Sequence, residues 1–111
     1  MPIELVLLSE VAPSDEVVAR AIAETHPEGQ LISFEGGAVR HAVDGDGASL
    51  LTLFESQPIV DATSAAAALA HPPAAFGLWT EVTVPRGAAQ QGRELAERLA
   101  SAIGGSVTER V

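Results

Sequence analysis

The chain has 111 residues, 47% hydrophobic and only 4% aromatic, with fifteen acids against six bases for a formal net charge of −9. That length fits one domain, spanning 1–111, with a core of its own. The absence of cysteine excludes structural disulfides, thiolate metal sites and cysteine nucleophiles, and no basic stripe exists to release counterions from nucleic acid or to hold an anionic membrane.

The opening MPIELVLLSE predicts a strand over Ile3–Ser9. Its Leu-Val-Leu-Leu centre is apolar at both parities, as in a strand covered on both faces. The apolar run Leu5–Leu8 is preceded by Glu4 and lacks the basic flank of a signal peptide. No segment reaches the length of a membrane span, and a cytoplasmic location is the expectation. A helix follows. Ser14 is a good N-cap, Asp15 and Glu16 suit the positive end of the helix dipole, and Val17, Val18, Ala21 and Ile22 form an apolar stripe that Pro27 ends.

The run QLISFEGGAVRHAVDGDGASLLTLFES predicts three antiparallel strands over Gln30–Glu35, Ala38–Val43 and Ala48–Ser56. Gly36-Gly37 is expected as a two-residue turn, because glycine tolerates positive φ. The second turn falls within Asp44–Gly47. Asp44, Asp46 and Glu55 match three ligand positions of a calcium-binding loop, but Ser49 replaces the required glycine and Leu50–Phe54 reads as strand. The segment is therefore read as a hairpin.

A short helix is expected over Ala62–Ala70, between Asp61 and Pro72-Pro73. The strand FGLWTEVTVP, Phe76–Pro85, puts Phe76, Leu78, Val82 and Val84 on one face and the only tryptophan, Trp79, on the other beside Glu81 and Thr83. Gln90–Ile103 predicts a third helix, with Leu95, Ala96, Leu99 and Ile103 inward and the pairs Arg93–Glu97 and Glu94–Arg98 outward. Gly104-Gly105 supplies a left-handed cap, and Ser106–Val111 is a last strand. The order β-α-β-β-β-α-β-α-β predicts an α+β two-layer sandwich, ferredoxin-like in style. It would have about six strands in a mixed, mainly antiparallel sheet and three helices mainly on one face.

No motif calls for enzyme chemistry. No serine lies in a G-x-S-x-G elbow, and neither glycine pair opens a helix as a phosphate cradle does. His26 and His71 each precede a proline at a helix end, where local carbonyls account for them. No metal site and no cofactor is expected. If all helices cover one face, the other face carries Trp79 and an aliphatic pair from the first strand, Val6 and Leu8 or, at the other parity, Leu5 and Leu7, with Leu50 or Leu51 added from the fourth. An uncovered cluster of that kind marks an association surface, and tryptophan is a frequent interface anchor.

The leading expectation is thus a small acidic protein-binding module. It would use Trp79, Glu81, Thr83, Val6 and Leu8 toward a basic protein or a second copy, as an immunity-type inhibitor or chaperone would. The alternative is a small-molecule-binding protein or enzyme of the ferredoxin-like dimer type. Its pocket would lie between sheet and helices, with Arg40 and His41 in its lining.

Overall fold

The computed structural model of the chain describes residues 2–59, 67 and 77–109. Its elements are β1 (Ile3–Ser9), α1 (Asp15–Thr25), β2 (Gln30–Phe34), β3 (Val39–Val43), β4 (Ser49–Phe54), β5 (Gln57–Pro58), β6 (Leu78–Val84), α2 (Ala89–Ala102) and β7 (Ser106–Glu109). The protein is α+β. The strands form one seven-stranded sheet in the order β2-β3-β4-β6-β1-β7, with β5 pairing β6 beside that path. Every pairing is antiparallel.

This corrects three expectations. The sheet has seven strands rather than about six, because Gln57-Pro58 adds a two-residue strand against β6 that periodicity has no length to register. It is antiparallel rather than mixed: β1 lies between β6 and β7, so β6 and β7, joined through α2, share a direction without pairing. Two helices, not three, stand among the described residues. The expected helix Ala62–Ala70 falls outside them, apart from helical Ala67, as do His71 and Phe76.

The local chemistry explains the elements. Ser14 Oγ accepts from the amide of Val17 at 3.2 Å, satisfying one of the free donors at the start of α1. The far end of α1 closes on His26, whose amide donates to the Ile22 carbonyl. At the end of α2, Gly104 takes φ 68° and the amide of Gly105 reaches back to the Ala100 carbonyl at 2.8 Å, a Schellman closure. The β2–β3 connection is longer than a two-residue turn. Phe34 pairs with Val39, and Glu35, Gly36 and Gly37 all take positive φ, which lengthens and bends the reversal. In the β3–β4 turn, Asp44 Oδ1 accepts from the amides of Asp46 and Ala48, each at 2.9 Å, so that carboxylate is held by the turn's own backbone.

Both helices pack on one face of the sheet. Val18, Ala21 and Ile22 of α1 and Leu95, Ala96 and Leu99 of α2 join Leu5, Leu7, Leu51, Leu53, Val82 and Val84 in a single buried cluster. The expected helical pairs within α2 give way to tertiary ones: Arg93 pairs with Glu109 on β7, and Arg98 with Glu24 on α1 at 3.6 Å. Gly92 sets how close α2 can come. A methyl group there would meet Val84 Cγ1 and lie 2.6 Å from the Leu50 carbonyl oxygen, so hydrogen is the only side chain the approach allows. Arg40 fastens the other helix. It reaches from β3 into the interface, where Nη1 donates to the Pro13 carbonyl at 2.9 Å and to Asp15 Oδ1 at 3.0 Å at the start of α1.

Two outcomes follow from these contacts. Gly92→Ala is expected to destabilise by about 1–3 kcal/mol through overpacking, outweighing the ~1 kcal/mol that alanine gains over glycine in a helix. Urea denaturation checks the sign. Arg40→Ala is expected to cost about 2–3 kcal/mol by the same assay, because it opens the interface and orphans the Pro13 carbonyl. Asp15→Ala should cost under about 1 kcal/mol, since that carboxylate is mostly solvated.

Candidate interaction face

Strand alternation and register place the side chains opposite the helices. On β6 they are Trp79, Glu81 and Thr83, and on β1 they are Glu4, Val6 and Leu8. Leu8 pairs with Trp79, Val6 with Glu81 and Glu4 with Thr83. Thr108 of β7 lies beside Val6 in the same row. Farther along the sheet, the register sets His41 between Ile32 and Thr52, and Val39 between Phe34 and Phe54. This face is therefore continuous from β2 to β7 and carries no described helix.

The tryptophan packs on Val6 and Leu8, which are 0% and 1% exposed and form a small second core on this face. Those two residues thus support the surface from beneath and present nothing to a partner. Trp79 also lines an open concavity of ≈ 460 Å³ with Ala38, Phe54, Glu55, Gln57 and Glu81. Thr83 sits half-buried on the same strand, opposite Thr52.

The apolar exposure lies elsewhere on the face. Of the four large hydrophobic residues exposed among the described residues, three are Ile32 at 40%, Phe34 at 50% and Phe54 at 37%, and all three belong to this side of β2 and β4. Phe34 also makes an edge-to-face contact with His41, the ring centroids 5.2 Å apart and the planes at 83°. His41 Nδ1 is within hydrogen-bond distance, 2.9 Å, of Thr52 Oγ1. The sequence reading passed over these aromatic and aliphatic positions. Their signal is the run Leu31, Ile32 and Phe34, which is apolar on both faces of the strand.

Arg40 and His41 are neighbours in sequence and opposites in space. His41 faces outward with Ile32 and Thr52, whereas Arg40 is buried on the helical side and bonded to α1. They line no common pocket. The described histidines do not converge either, and no group of three or more His, Asp or Glu side chains among the described residues is placed to hold a metal ion.

Charge is divided between the two layers. Arg20, Arg93 and Arg98 are on the helices, Arg40 is beneath them, and Arg86 is in the turn that leads into α2. No described arginine is on this face, which bears Glu4 and Glu81 with Glu35 and Glu55 at its margins. Acidic side chains without a described arginine beside them favour cationic groups.

No described helix is long and apolar enough to cross a membrane. Comparison of the chain with protein-family models, curated proteins and solved structures finds no match.

Trp79→Ala is expected to destabilise by about 2–4 kcal/mol by uncovering Leu8 and Val6, whereas Phe54→Ala should cost under about 1.5 kcal/mol because its ring is already partly in water. Thermal and urea melts of the two variants check the order.

Proposed function

We propose that the protein is a binding module that engages a basic protein on the sheet face that carries no described helix. The observation that carries this reading is the coincidence on one face of exposed Ile32, Phe34 and Phe54 with acidic side chains and no described arginine. Covering each large apolar side chain contributes about 1.5–3 kcal/mol, and aromatic anchors of this kind slow dissociation. The negative field accelerates encounter with a cationic partner and raises little affinity by itself. Trp79 acts here as the wall of the concavity beside Phe54, and Glu81 as its charge. A small acidic inhibitor of the immunity type, or a chaperone of a basic secreted protein, is the concrete form of such a module. Pairing of two copies through this face is opposed by the charge of −9 on each.

The test uses the immobilised chain and its Phe34→Ala/Phe54→Ala form. A partner captured by the wild type is expected to be basic, to associate more slowly as ionic strength rises, and to bind the double variant at least about tenfold more weakly, ~1.4 kcal/mol. Far-UV circular dichroism of the variant should be unchanged. An acidic partner, a salt-independent association rate or undiminished binding to the variant refutes the reading.

A further inference from the structure

The two outer strands of the sheet are β2 and β7, and they are protected very differently. β7 is four residues long and ends in Glu109, which is ion-paired with Arg93. Short length and a charge are the usual means by which an edge is kept from pairing with another chain. β2 has neither. Its five residues, QLISF, contain no charge and no proline, and all but Leu31 are exposed. One side of its backbone is paired to β3, and no described strand takes the other.

We propose that the partner binds by strand addition: an extended cationic segment of the partner protein pairs with the open edge of β2. Its alternate apolar side chains continue the row of Ile32 and Phe34, and its basic residues meet the acids at either end. This rests on the functional reading above and specifies its geometry. Main-chain hydrogen bonds supply the pairing in such an arrangement, and alternate side chains supply the choice of partner. Glu28 precedes the strand, and Glu35 follows it at the start of the turn to β3. The Asp44–Ala48 turn stands beside Glu28, with Gly45 against the Glu28 side chain, and adds Asp46 to that end.

The same charges select against a second copy. An antiparallel twin centred on Ile32 would bring Glu28 of each copy beside Glu35 of the other, a like-charge contact at both ends of the new pairing. A segment with lysine or arginine at both ends meets the same positions with attraction.

The experiment titrates the whole chain with three synthetic peptides about nine residues long, within the common length of strands. The first alternates valine and threonine between paired lysines. The second carries glutamates at those ends. The third is the lysine peptide with N-methyl groups on alternate amides, which removes donors along one edge. The readouts are amide chemical shifts and hydrogen exchange over Gln30–Phe34, with light scattering before titration. The lysine peptide is expected to bind and slow exchange in β2, and the other two to bind at least about tenfold more weakly, as is the lysine peptide to an Ile32→Lys chain.

If the N-methylated peptide binds as well as its parent, or shifts appear only around Phe54 and Trp79, strand addition is wrong while the acidic face keeps its role. If the lysine peptide fails to bind, or binds no better than the glutamate peptide, both readings fall. A dimer that already protects the β2 amides without peptide overturns the proposal in favour of a second copy.

Discussion

Both long helices among the described residues lie on one face of a seven-stranded antiparallel sheet, and that inequality governs the described molecule. A sheet has two faces, and apolar side chains on both must be removed from water or tolerated in it. On the helical side the problem is solved by burial: α1 and α2 meet Leu5, Leu7, Leu51, Leu53, Val82 and Val84 in one cluster. Gly92 and Arg40 set the terms of that contact, the first by permitting α2 to approach and the second by holding the start of α1 to β3. The face without described helices needs other solutions, and it uses three of them side by side.

Near β1 and β6 the solution is local. Trp79 packs against Val6 and Leu8, which are buried in a second core. Across the middle, polar residues take over, with Thr52, Thr83 and Glu81 on the surface. Toward β2 neither device is present. Ile32, Phe34 and Phe54 remain in water, next to a sheet edge that carries no charge of its own. Natural sheets blunt such edges because unpaired backbone groups beside apolar side chains recruit other chains. Under the proposed reading, the edge of β2 that no described strand takes, next to this apolar patch, is where the partner is recognised.

Charge placement reinforces this division. Four of the described arginines are tied to Glu16, Asp15, Glu109 and Glu24 around the helices; Arg20–Glu16 lies exposed along α1, and the other three link separate elements. The described sheet face carries Glu4 and Glu81 and no described arginine, while further acids lie on α2 and in the loops. Net charge alone is a statement about solubility and encounter rates. Its uneven distribution about the sheet is what gives it direction.

The α+β class was legible in the sequence because it rests on local chemistry. Ile3–Ser9 alternates with a capped amphipathic segment at Ser14–Ile22, and Gly104-Gly105 closes α2; each of these is fixed by residues a few positions apart. The opposite orientation of Trp79 and Val82 was likewise legible, since a strand alternates whatever it pairs with. What only the tertiary structure decided was strand order and register. Those depend on contacts between residues far apart in sequence, such as β1 between β6 and β7, and on the extra residues of the Glu35–Ala38 turn that pair Phe34 with Val39. Register brings Ile32, His41, Phe34 and Phe54 onto one surface, pairs Trp79 with Leu8, and separates Arg40 from His41. Alternation assigns each side chain a face within its own strand, but only pairing makes those faces into one surface.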